Sequence, residues 1–132
     1  MKILTVLFCL CVPLMGADKK PLTKEESAKV IEAAIRKSLK KPTGELTKAD
    51  LEKVRELYLV DDQLTDVKGL EKLTQLTELE LSGNKLTDVK GLEKLTQLKF
   101  LILDGNPALT KAQIDELKKA LPDCKIEHNA KK

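Results

Sequence analysis

Two residues near the C-terminus have the types a covalent catalyst would use. Cys124 and His128 stand four apart, and His128 is the one histidine of the 132-residue chain. A cysteine nucleophile needs an imidazole within hydrogen-bond reach. If Cys124 points inward from a strand and His128 lies in the following turn, the two do not face each other. Asp61 and Asp62 are adjacent carboxylates that could touch calcium, but no recognisable calcium loop surrounds them. There is no phosphate-binding loop, dinucleotide fingerprint or zinc spacing. The 21 acidic side chains are explained more cheaply as solvated surface charge than as an acid/base pair. The sequence therefore predicts no catalytic residues, no metal, no cofactor and no enzyme.

What positions these residues is a repeat. LTDVKGLEKLTQL at 64–76 recurs unchanged at 86–98, an offset of 22. Four rows extend the frame: VRELYLVDDQL from Val54, LTELELSGNKL from Leu76, LKFLILDGNPAL from Leu98 and LPDCKIEHN from Leu121. The third row carries one extra residue near Pro107. Leucines two apart share one face of a strand. Leu57/Leu59, Leu79/Leu81 and Leu101/Leu103 are thus inward pairs, and Cys124 falls in the same frame as a small buried apolar side chain. After each strand the period becomes three, at Val67, Leu70, Leu73 and Leu76, and again at Val89, Leu92, Leu95 and Leu98. That spacing is the stripe of a 3₁₀-like helix. Gly69 and Gly91 permit a sharp backbone there. One such turn cannot bury its leucines, but a stack of turns makes a continuous core.

The pattern L-x-x-L-x-L-x-x-N-x-L resembles the leucine-rich repeat over roughly residues 46–129. The resemblance implies an α/β fold: a short solenoid with a parallel sheet on the concave side, 3₁₀-like turns on the convex side and helical caps at both ends. It also implies that Asn84, Asn106 and Asn129 lie inside the coil and bond backbone groups of adjacent turns. Asp62 holds that position in the first row, where a carboxylate could accept but not donate.

Both ends carry capping signals. Thr23 and Glu26 match a capping box, and Val30, Ile31, Ala34, Ile35 and Leu39 share one helical face before Pro42 and Gly44. Thr47 is a second N-cap. This helix, followed by KPTGELTKADL just before the repeats, resembles the N-terminal cap of bacterial internalin-type proteins. Thr110 and Gln113 form another capping box, Ile114, Leu117 and Leu121 give an apolar stripe, and CKI supplies a closing edge strand. Lys125 and His128 keep that edge soluble. With two caps the array is expected to be complete. Many internalins add a longer array, an immunoglobulin-like domain and a sorting tail, none of which follows here, so an invasion role is not carried over.

The first residues, MKILTVLFCLCVPLMGADKK, read as a secretory signal with a cut after Ala17. Met15 is large for its place, which leaves the cut position open. The apolar run of about twelve residues falls short of the roughly 20 a membrane span needs. Bulky Phe8 and Leu10 before Cys9 and Cys11 fit a lipid-attachment signal poorly. Cleavage would leave Cys124 as a single thiol without an internal partner. The expected organisation is signal peptide 1–17, helical cap 18–45, repeats 46–110, and closing helix, edge strand and tail 111–132.

In the repeat frame the residues flanking the inward leucines face the concave side. They are Glu56, Tyr58 and Val60, then Glu78, Glu80 and Ser82, then Phe100, Ile102 and Asp104, with Asp123, Lys125 and Glu127 last. Tyr58 and Phe100, both aromatics left after cleavage, fall on this face. Aromatic anchors ringed by charge suit a protein-binding patch, although scattered exposed apolar residues are also ordinary. The first nine are taken as the partner-binding set. The expected function is a secreted or envelope module, monomeric, holding a protein or peptide with basic groups. The formal net charge of +3 is too small to argue for nucleic acid. Two other functions compete. Residues 18–41 hold eight Lys/Arg against four Asp/Glu and could touch an anionic surface; the chain could also be a scaffold without one partner.

Overall fold

The computed structural model describes residues 20–129. The expected signal peptide lies outside the described residues.

Helix α1 (Lys24–Leu39) opens the fold. The Thr23 hydroxyl accepts from the Glu26 amide at 3.1 Å and the Glu26 carboxylate accepts from the Thr23 amide at 2.8 Å, so two amides left over at the helix start are satisfied. Lys40 closes the other end in the left-handed region. Ile31 and Ile35 are buried against the repeats, with Val30, Ala34 and Leu39 partly covered beside them. A short helix α2 (Lys48–Leu51) follows, boxed by Thr47 and Asp50. The Lys41 ammonium, 2.7 Å from Asp50, holds that carboxyl well below the usual range; the Thr47 amide and hydroxyl add to the effect.

Three strands one repeat apart, β1 (Glu56–Tyr58), β2 (Glu78–Glu80) and β3 (Phe100–Ile102), pair in parallel and in register, and β4 (Lys125–Glu127) extends the sheet in the order β1-β2-β3-β4. The ladder runs beyond the strands. Asp61 donates to the Ser82 carbonyl at 3.1 Å and Gly83 to the Asp104 carbonyl at 2.9 Å. The chain returns along the convex side through 3₁₀ turns at Leu70–Lys72 and Leu92–Lys94. Each is entered through a glycine, Gly69 at φ 103° and Gly91 at φ 106°, a conformation that L side chains rarely adopt. Helix α3 (Lys111–Ala120), capped by Thr110 and Gln113, covers the last turn with Ile114 and Leu117.

Between these faces the leucines stack in columns. Leu57, Leu79 and Leu101 form one and Leu59, Leu81 and Leu103 another, all buried. Behind them Leu70 aligns with Leu92, Leu73 with Leu95 and Leu76 with Leu98. Each buried leucine contributes about 1.5–3 kcal/mol of transfer free energy.

The asparagine ladder holds at two positions. Asn84 donates to the carbonyls of Leu59 (2.6 Å) and Leu81 (2.9 Å) and accepts from the amides of Asp62 (3.0 Å) and Leu64 (3.1 Å). Asn106 repeats this with Leu81, Leu103 and the Leu86 amide. The last row departs from expectation. Leu101 pairs with Ile126, not Cys124, so the row lies two residues later than the repeat frame placed it. The turn at Pro122 and Asp123, after a helix longer than the 3₁₀ turns, takes up the difference. Cys124 is consequently half-buried instead of enclosed. Asn129 is exposed, and its side chain accepts from the Gly105 amide at 3.0 Å instead of joining the ladder.

Candidate functional site

The register of the sheet fixes which side chains share the concave face. Because side chains alternate along a strand, the residues between the buried leucines all project to the other side. They fall into rows across the strands. One row is Glu56, Glu78, Phe100 and Lys125; the next is Tyr58, Glu80, Ile102 and Glu127. A third, beyond the strand ends, holds Val60, Ser82 and Asp104.

Tyr58 is 55% exposed, Phe100 51% and Val60 41%, and these are the large apolar residues left open among those described. Ile102 is half-buried beside Phe100, as are Glu78, Glu80, Ser82 and Asp104; Glu56 is exposed. The nine residues expected to bind a partner therefore share one surface. Tyr58 and Phe100 are not neighbours on it. They sit in different rows with β2 between, so the face has an aromatic at each of two diagonal corners.

Sequence reasoning missed how the polar groups are tied together. The Tyr58 hydroxyl lies 3.0 Å from a Glu56 carboxylate oxygen and 3.4 Å from one of Glu78. The hydrogen bond to Glu56 comes first in pushing the phenol up to about 12; desolvation and the charges of Glu56 and Glu78 add to it, since ionising the phenol would bring a third negative charge to this corner. Ser82 donates to Glu80 at 2.9 Å, and Lys125 meets Glu127 at 3.6 Å. The repeat frame itself was the available signal: it sets Glu78 beside Glu56 and Tyr58 once the strands are in register.

The residues weighed for chemistry lie elsewhere. The Cys124 thiol, 3.7 Å from the Lys125 carbonyl, is pushed up by burial, so it is held as the thiol and away from the nucleophilic thiolate. His128 follows β4 and is half-buried, and the Asp115 carboxyl on α3 is lowered mainly by its hydrogen bond from Lys111. Asp62 contributes its backbone amide to Asn84. Among the described residues no three His, Cys, Asp or Glu side chains converge on a point where a metal ion could sit, and no helix is long and apolar enough to cross a membrane. A depression beside the face opens between α1 and β1, lined by Ala34, Lys37, Ser38, Arg55, Glu56, Leu57 and Tyr58.

Comparison with known proteins bears on this geometry. A family model described as Leucine Rich repeats (2 copies) matches residues 52–93 and 74–119. No curated protein matches the chain. Among solved structures, it is similar to an internalin (inlF) from Listeria monocytogenes at 25% identity, with a TM-score of 0.65 over 77% of this chain. It is also similar in fold to an internalin C2 from the same organism at 23% identity, with a TM-score of 0.51 over 75% of this chain. The chain spans 31% of the length of the first and 54% of the second.

Proposed function

The chain belongs to the leucine-rich repeat family, and on that premise we propose that it is a non-catalytic module that holds a protein or peptide on its concave sheet face. Tyr58, Phe100 and Val60 stand open on one face of the sheet, and this observation carries the reading. Large apolar side chains in water lose the burial they would gain under a partner. Here the backbone that carries them is held by a stacked core, so a partner need order only the side chains. Glu56, Glu78, Glu80 and Asp104 surround them and favour a partner with basic groups. Within this reading residues 1–17 direct export, 18–45 and 111–132 close the ends, and 46–110 display the surface as a monomer.

The test is a paired capture from envelope and secreted fractions, with the chain and its Phe100→Glu/Ile102→Lys variant as baits. Circular dichroism would check that both fold. A protein retained by the unchanged bait and lost from the variant is the expected result. Equal retention by both removes the face from consideration.

A second reading has its own support. Lys24, Lys29 and Lys37 are exposed on α1 and could meet an anionic lipid or polysaccharide. The apolar side of α1 is already spent on the core through Ile31 and Ile35, so such contact would be electrostatic. Binding that disappears in moderate salt yet ignores Phe100→Glu would favour it.

A further inference from the structure

The concave face is polarised across its strands. The row Glu56, Glu78, Phe100, Lys125 reads acidic, acidic, apolar, basic. Glu56 and Glu78 stand directly opposite each other, an arrangement of like charges that destabilises a sheet. Among the described residues neither carboxylate has a cation in salt-bridge contact. The relief within the chain is the Tyr58 hydroxyl, at 3.0 and 3.4 Å from the two. A hydroxyl has one proton to donate, so it serves one carboxylate at a time. An ammonium or guanidinium brings several donors and the missing charge. The acidity is local, because the chain as a whole is formally +3.

Resting on the binding reading above, we propose that this row recognises an extended basic segment of a partner protein in one direction, with a Lys or Arg over Glu56 and Glu78 and an apolar side chain two residues away on Phe100. The spacing fits. Adjacent strands lie about 4.8 Å apart, so the midpoint of the two glutamates is roughly 7 Å from Phe100, close to the repeat of alternate residues in an extended chain. Tyr58 flanks the acidic end, where its ring can lie against the aliphatic stem or the cation itself. Lys125 stands beyond Phe100 with its ammonium 3.6 Å from Glu127, so that end offers a second cation no unpaired carboxylate, which sets the direction.

The test is selection from a random peptide library displayed on phage, with each selected peptide checked against Phe100→Glu. Peptides that require Phe100 should be enriched in Lys or Arg two residues from an apolar one. A synthetic example should bind at least tenfold more weakly to Glu56→Gln/Glu78→Gln. The Glu56→Lys/Glu78→Lys/Lys125→Glu exchange should turn selection toward acidic residues at the β1 end. In the absence of ligand, Glu78→Gln should melt at a higher temperature than the parent, since one member of the opposed pair is removed. Phe100-dependent peptides without this basic bias would overturn the proposal and leave the face as a binding site. A library with no Phe100-dependent peptide would sink the binding reading and this proposal together. Sedimentation as a dimer that Phe100→Glu dissociates would mean that a second copy covers the face, which also overturns it.

Discussion

At the scale of single residues, the fold depends on a few polar side chains with no alternative partners. Asn84 serves five backbone groups from two turns, four of them within 3.1 Å and the Ser82 carbonyl at 3.3 Å. Asn84→Ala should cost on the order of 3 kcal/mol in urea unfolding, because buried amides and carbonyls lose their partner with no water to replace it. Leu81→Ala, in the same layer, should cost about 2–5 kcal/mol through the cavity it leaves. Tyr58 gives a residue-level check on the site. Its phenol should titrate near 12 by ultraviolet absorbance and return toward the ordinary value in Glu56→Gln. The sign of the linkage follows. The folded value is raised, so the folded state retains the proton longer; the contribution to stability is full below about 10 and is lost as pH climbs through 12. The roles of Asn84 and Asn106 were legible through the family resemblance, which implies an asparagine inside the coil at that register; repetition alone does not, since Lys68 and Lys90 also repeat at one register and are exposed. The Tyr58 hydroxyl contacts were not, since rotamers decide which of several nearby carboxylates a phenol reaches.

At the scale of elements, the 22-residue period made the repeats readable. Three-residue spacing named the 3₁₀ turns, and alternate leucines named the strands and both of their faces. Gly91→Ala should test the turn directly. At φ 106° a side chain is strained, and the cost should be about 1–2 kcal/mol, seen as a lower midpoint with unchanged slope in urea. The closing strand was the element whose register could not be read. Once α3 replaces a 3₁₀ turn, the period no longer counts residues, and Pro122 and Asp123 move the strand two places. Ile126 then takes the inward position opposite Leu101, and Cys124 is left at the margin. Cap residues survived this because capping boxes are local: Thr23 with Glu26, Thr47 with Asp50 and Thr110 with Gln113 each form within four residues.

At the scale of the whole molecule, charge is distributed against its own average. A chain of formal charge +3 shows an acidic sheet face and a lysine-bearing N-terminal helix. Such a separation orients a charged partner before contact, and salt should weaken the effect. Association of a basic peptide with the face should therefore slow several-fold between low and physiological ionic strength in stopped-flow measurements, while dissociation changes less. Binding on the concave face is decided by chemical-shift mapping of the isotope-labelled protein with the partner captured by the unchanged bait. Perturbations centred on Glu56–Val60, Glu78–Ser82 and Phe100–Asp104 are expected. Perturbations confined to the exposed side of α1 or to the 3₁₀ turns would contradict binding there.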